Sequence, residues 1–205
     1  MKTIRSFIAI DLTPAARAGL GDLQNRLKAV VPPKTVRWTA LPNIHLTLHF
    51  LGEIAISDVE TVTGLVQATA ANFQPFRLSL AGLGCFPNTR RPRIVWVGVG
   101  GETRILGELQ RELGERLRVI NFTPEARPYS PHLTIGRVNN LPPHRLAQLG
   151  ELLEQEQLTV GELARLTVTE IQLIKSDLQP TGPVYTSLGR GTLGSPPPTA
   201  TPPAP

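Results

Sequence analysis

Cysteine is nearly absent from these 205 residues, and methionine, tryptophan and tyrosine are scarce too, at one, two and two copies. The single thiol, Cys85, can form no internal disulfide and no multi-thiolate metal site. Between Gly84 and Phe86, with no histidine near it in sequence, it reads as a small packed residue. Long apolar runs are also missing: none approaches the roughly 20 residues that a helix needs to span a bilayer. The first twelve residues have a basic start and a short apolar stretch, but Asp11 interrupts it. A secretory signal would need a longer apolar segment and a small-residue cleavage site. That segment reads as a first strand, and the expected location is the cytoplasm. Acidic charge is in deficit, 16 residues against 21 basic, giving a net charge of +5 and a pI near 10. The imbalance favours anionic partners. Arginine greatly outnumbers lysine, with Arg90, Arg91 and Arg93 clustered, and its planar fork suits phosphate.

What the chain does contain is regular. Thr13 and Pro14 form an N-cap and first-turn pair, followed by Leu20, Leu23, Leu27 and Val30 on one stripe. Ser57-Asp58-Val59-Glu60 reads as a capping box, continued by Val62 and Val66. Leu106, Leu109, Leu113 and Leu117 mark a third helix, and a fourth starts around Pro142-Pro143. Strands are expected at Thr3–Asp11, Val36–Thr39, His45–Leu51, Phe76–Leu83, Ile94–Val99, Pro131–Val138, Ala164–Lys175 and Val184–Leu188. From Ser195 to the end, six prolines in eleven residues and no large apolar side chain predict a disordered tail. The expected organisation is one folded domain over 1–190 and a tail over 191–205.

The tripeptide His-Leu-Thr occurs twice, at His45-Leu46-Thr47 and His132-Leu133-Thr134. Strand side chains alternate between faces, so His45 shares a face with Thr47, about 7 Å along, and His132 shares one with Thr134. Aligned on these histidines, each half reads strand, helix, hairpin, with offsets that agree to within about three residues. Such a duplication predicts two lobes about an approximate two-fold axis, with the leading strands facing across a groove. The expected class is α+β, bilobal, with two antiparallel sheets and helices outside.

Two histidines on opposite sides of a substrate suit an in-line displacement at phosphorus. One takes a proton from the attacking oxygen while the other protonates the leaving oxygen. Threonine hydroxyls beside them can donate to the non-bridging oxygens, where charge develops. His45 and His49 have the spacing of a helical zinc site, but positions four apart on a strand are about 13 Å distant. No metal site is expected, His49 is expected at the periphery of the groove, and His144 on the surface at a helix start.

These residues carry a resemblance. Arg5-Ser-Phe-Ile-Ala-Ile10, Val36-Arg-Trp38, Asn43-Ile-His-Leu-Thr-Leu-His-Phe-Leu-Gly52, Gly84-Cys-Phe-Pro87, Pro92-Arg-Ile-Val-Trp-Val-Gly98 and Arg127-Pro-Tyr-Ser-Pro-His-Leu-Thr-Ile-Gly-Arg137 occur in that order. Across 3–190 the chain resembles the 2H phosphoesterase superfamily, and within it the RNA 2′,3′-cyclic phosphodiesterases, also called 2′-5′ RNA ligases. The resemblance implies a bilobal α+β fold and the opening of RNA 2′,3′-cyclic phosphate ends to 2′-phosphates, without cofactor or metal. It implies His45 as proton donor to the leaving 3′-oxygen, His132 as the base that activates water, and Thr47 and Thr134 as phosphate contacts. Arg137 would serve the phosphate only if the strand bends near Gly136, because strict alternation turns it away from Thr134. The implied partner is RNA with cyclic phosphate ends, or cyclic nucleotides. No membrane is involved, and a monomer is expected. An ATP-independent 2′-5′ RNA ligase and a non-catalytic nucleotide-binding module are the alternatives.

Overall fold

Apolar residues at alternating and at helical spacing give nine strands and four α-helices among the described residues, 2–124, 127–180 and 182–194 of a computed structural model. In chain order these are β1 (Thr3–Ile10), α1 (Pro14–Val30), β2 (Val36–Trp38), β3 (Leu46–Ala55), α2 (Val59–Ala70), β4 (Phe76–Phe86) and β5 (Ile94–Gly101). Then follow α3 (Thr103–Arg116), β6 (His132–Val138), α4 (Pro143–Gln157), β7 (Glu162–Val168), β8 (Glu170–Gln179) and β9 (Gly182–Thr192). The leucine stripe of α1 is buried as its spacing requires, Leu20 and Leu27 completely. Each such side chain contributes roughly 1.5–3 kcal/mol. Thr13 caps α1, its hydroxyl accepting from the Ala16 N–H at 3.2 Å.

The strands form two antiparallel sheets, ordered β3-β1-β8-β9 and β2-β6-β5-β4-β7. Helices α2 and α3 pack against the first, and α1 and α4 against β7 and β4 of the second. The α+β class and the paired sheets are as expected from the sequence, but the lobes are not the two halves of the chain. The first half's hairpin, β4–β5, joins β6 of the second half, while the second half's hairpin, β8–β9, joins β1. Each half thus completes the other's sheet, and the two leading strands end up in different sheets.

Four details depart from the sequence reading. The run Ala164–Lys175 is two strands in different sheets, divided at Thr169. No glycine or proline punctuates that change, so local sequence reads straight through it. Several strands run further than expected, β4 to Phe86, β5 to Gly101 and β9 to Thr192, because glycines there mark close approach and not turns. At Gly84 a Cβ would lie 2.3 Å from the Trp96 ring, and at Gly189 it would lie 2.4 Å from Thr63 of α2. The expected capping box is a short 3-10 turn, Ile56–Asp58, and Asp58 makes no side-chain cap. Finally, the folded chain passes Arg190: Leu193 is buried and its N–H donates to the Thr169 carbonyl. The rest of the expected tail, 195–205, lies outside the described residues.

Candidate active site

His45 immediately precedes β3 and His132 opens β6, so the repeated tripeptides sit at the same point of equivalent strands. Their surroundings repeat as well. The Nδ1 of His45 lies 3.0 Å from the Asn43 carbonyl, and the Nδ1 of His132 lies 2.8 Å from the Ser130 carbonyl. A carbonyl can only accept, so each Nδ1 carries the proton and each Nε2 is left to a ligand. The tautomer is fixed by the backbone two residues upstream in both copies.

A bulge follows each threonine. Thr47 pairs with Ala9 and His49 with Ile8, leaving Leu48 extra; Thr134 pairs with Trp96 and Gly136 with Val95, leaving Ile135 extra. An extra residue inverts the alternation beyond it. The row that starts with His and Thr is therefore continued by Phe50 in β3 and by Arg137 in β6. Strict alternation placed His49 at the periphery of the groove, and the structure corrects this. His49 is 5 % exposed, its Nε2 sits 2.7 Å from the Gln110 carbonyl of α3, and Phe122 meets its ring edge-on. Arg137 gains the face it lacked by alternation and pairs with Arg37 on β2 and Ile94 on β5. Both arginines are exposed, and no carboxylate among the described residues forms an ion pair with either.

His45 stacks on Phe7, with centroids 4.4 Å apart and planes at 21°, and meets Tyr185 edge-on at 5.3 Å. Phe7, Ala9, Ile174 and Tyr185 form an apolar cluster separate from the main core, and this is the floor beneath His45. Burial there pulls the imidazole down to a pKa of about 4, against the smaller upward pull of the Asn43 carbonyl and the Asp11 charge, with Arg17 adding a further downward push. His132 instead meets Phe86 edge-on at 5.0 Å. Burial pushes the Tyr185 hydroxyl up, while Arg137 of one sheet and Arg5 of the other both oppose that push. The Tyr129 hydroxyl, on the segment leading into β6, donates to the Thr47 carbonyl at 2.9 Å.

Several supports were not legible in the sequence. Gln24 of α1, 2 % exposed, donates from Nε2 to the carbonyls of Thr39 and Ile135, each at 2.8 Å, and so holds the β6 bulge. Asn43, whose carbonyl orients His45, donates from its side chain to the Pro183 carbonyl at 3.0 Å. Arg17 pairs with Asp11 and donates to the Leu41 and Ile44 carbonyls at 2.7 and 3.3 Å. Phe7, Phe86 and Tyr185 escaped notice because an aromatic in a strand is ordinary, and only ring contacts across the sheet distinguish them. Cys85 is buried, with its thiol pushed up by that burial and by Glu154, as a packed residue should be. His144 is exposed at the start of α4. Arg90, Arg91 and Arg93 are exposed on the β4–β5 connection, which leaves from Phe86 beside His132.

Comparison with known proteins shows which family the chain resembles. Residues 37–180 match the family described as the 2′-5′ RNA ligase superfamily. The RNA 2′,3′-cyclic phosphodiesterase of Methanothermobacter thermautotrophicus is 35 % identical over 90 % of this chain and 96 % of its own. That of Aquifex aeolicus is 30 % identical over 95 % and 100 %. The crystal structure of E. coli LigT complexed with 3′-AMP superposes with a TM-score of 0.71 at 25 % identity, covering 95 % of this chain and 100 % of that one. With matches over nearly its whole length and a bilobal α+β fold that starts equivalent strands with the two tripeptides, this chain belongs to the 2′-5′ RNA ligase superfamily of 2H phosphoesterases.

Proposed function

We propose that the protein is a hydrolase of RNA 2′,3′-cyclic phosphate ends, yielding 2′-phosphates by acid/base catalysis between His45 and His132 without a metal. The observation that carries the reading is the repeated pair of oriented imidazoles, each held as the Nδ1–H tautomer by the carbonyl two residues before it. Water attacks phosphorus as the P–O3′ bond breaks. Nε2 of His132 accepts the proton of the water, and Nε2 of His45 delivers its proton to the departing 3′-oxygen. The Thr47 and Thr134 hydroxyls donate to the non-bridging oxygens, and Arg137 offsets the charge that grows there. The relatives named RNA 2′,3′-cyclic phosphodiesterase support the same chemistry.

A proton donor must be charged when substrate is bound, yet burial pulls His45 down to about 4. The phosphate supplies the missing term, since an anion within hydrogen-bond reach favours the charged imidazole. The acid is thus armed by its own substrate. Turnover should follow a bell-shaped pH profile, whose apparent pKa values belong to the histidine pair.

The expected partner is RNA ending in a cyclic phosphate, or a cyclic nucleotide, handled by a monomer in the cytoplasm. Among the described residues no helix is long and apolar enough to cross a membrane. Incubation of pure protein with a nucleoside 2′,3′-cyclic phosphate in EDTA tests the reading. The expected product is the 2′-phosphate, and His45→Ala and His132→Ala should each lose roughly 10²–10⁴-fold in rate. Activity lost in EDTA and regained with a divalent ion would refute the metal-free step. Adding an RNA 5′-hydroxyl distinguishes the ligase, which would join it in place of water. Tight binding with no turnover would indicate a non-catalytic module.

A further inference from the structure

The two tripeptides are repeated, but the supports of their orienting carbonyls are not. Asn43, whose carbonyl sets the His45 tautomer, ends a 3-10 turn, Leu41–Asn43, and its side chain donates to the Pro183 carbonyl at 3.0 Å. Ser130, its counterpart for His132, lies in the segment 127–131, which belongs to no helix or strand. The residue before it supplies the anchor. Tyr129 packs against the main core, and its hydroxyl donates to the Thr47 carbonyl at 2.9 Å. This bond ties the segment that leads into His132 to the strand that follows His45.

Both ends of the bond have a physical reason. On the Thr47 side, the β3 bulge interrupts the ladder to β1 between Ile8 and Ala9. A backbone carbonyl at such an interruption needs a donor from elsewhere. Gln24 of α1 does the same for the Ile135 carbonyl at the β6 bulge. On the other side, Pro128 and Pro131 bracket Tyr129 and Ser130. A proline fixes its own φ and keeps the residue before it extended. A segment this stiff passes the position of the Tyr129 side chain on to the neighbouring Ser130 carbonyl. Burial pushes the Tyr129 hydroxyl well above its usual range, so it stays a donor wherever a histidine pair can exchange protons.

We infer that Tyr129 is a positioning residue that couples the two histidine half-sites. Held on the Thr47 carbonyl, it keeps the Ser130 carbonyl aimed at Nδ1 of His132 and fixes that imidazole relative to Thr47 and His45. The inference rests on the function proposed above. Tyr129 acts on no substrate atom. Its effect lies in the alignment of base and acid about the phosphorus, where a displacement of about 1 Å can cost roughly 10²-fold in rate. Without the hydroxyl, the Ser130 carbonyl is free to turn and His132 loses its fixed tautomer. Fewer molecules then present a bare Nε2 to the attacking water.

The test is Tyr129→Phe, which removes the hydroxyl and keeps the ring that packs on the core. On a nucleoside 2′,3′-cyclic phosphate its kcat should fall roughly 10- to 100-fold while KM stays close to the wild-type value, because alignment counts in the transition state. The ring-nitrogen NMR shifts of both histidines, read at roughly pH 8.5 where imidazoles are neutral, give a signature that a merely structural hydroxyl would not move. In the variant His132 should become a mixture of tautomers, while His45, held by Asn43, should keep its proton on Nδ1. Wild-type kcat in the variant, or His132 shifts identical in the two proteins, would overturn the inference. So would an equal change at both histidines, since the tether orients only one of the two carbonyls. A wild type that leaves the cyclic phosphate intact would overturn the function reading. The ring shifts need no substrate and would still decide whether Tyr129 fixes His132.

Discussion

Burial of His45 in its aromatic setting should make the whole protein acid-sensitive in a specific pH window. The imidazole titrates near 6.5 in an unfolded chain and near 4 in the fold. Its folded pKa is depressed, so its contribution to stability is fully present above pH 6.5. It is lost as pH falls towards 4, because protons then bind the unfolded chain first. The full shift corresponds to about 3 kcal/mol, of which roughly 2.5 kcal/mol is gone by pH 4.5. That is a large share of the 5–15 kcal/mol typical of a domain.

The assay is urea unfolding of the wild type and of His45→Gln at pH 7.5 and pH 4.5. Carboxylates and the other histidines titrate in both proteins, so their effects cancel in the difference between them. The wild type should lose roughly 2.5 kcal/mol more than the variant between the two conditions. Histidine ring signals followed by NMR supply an independent reading: the His45 ring should remain neutral through pH 5. Equal pH dependence in the two proteins, or a His45 ring that titrates near 6.5, would refute the burial argument and the claim that substrate arms the acid.

Arg137→Ala should slow opening of the cyclic phosphate by roughly 10²-fold if its guanidinium faces the developing charge, and wild-type kinetics would return Arg137 to the solvent. The Thr47→Val and Thr134→Val substitutions should each cost roughly 10–10³-fold in kcat. Gln24→Leu removes one of the donors to the bulged Ile135 carbonyl, and its urea midpoint should correspond to a loss of about 1–3 kcal/mol. A triple Arg→Ala variant at Arg90, Arg91 and Arg93 should raise KM for oligonucleotides and flatten its salt dependence between about 50 and 200 mM. It should hardly affect a mononucleoside cyclic phosphate, and oligonucleotide kinetics that do not change would place the RNA path elsewhere.

The matched placement of the two His-Leu-Thr tripeptides on equivalent strands was legible because histidine is rare in this chain. Two of four histidines share one tripeptide, and no amount of packing requires that. The helices were legible for a different reason: leucine spacing and the Thr13 cap are local signals, and local rules sufficed. The exchange of hairpins was not legible, since nothing in β4 or β8 states which sheet it will join. The break at Thr169 was hidden for the same reason. A β-branched residue between two apolar strands favours continued extension, whereas the Leu193 N–H that donates to its carbonyl at the corner comes from far along the chain.

The two bulges explain why the groove rows were misread beyond each threonine. Alternation is a strong rule only while register holds, and one added residue reverses it for everything downstream. Here the reversal has opposite value in the two sheets. In β3 it turns His49 off the row that starts with His45 and Thr47 and buries it against α3. In β6 it turns a glycine inward and Arg137 outward. That inward glycine is required by space as well: a Cβ on Gly136 would lie 2.5 Å from Val36. Two copies of one strand design therefore yield an exposed aromatic, Phe50, in one sheet and an exposed cation, Arg137, in the other. A symmetric frame thus carries two histidines at equivalent positions, while one added residue in each strand makes the positions that follow them differ.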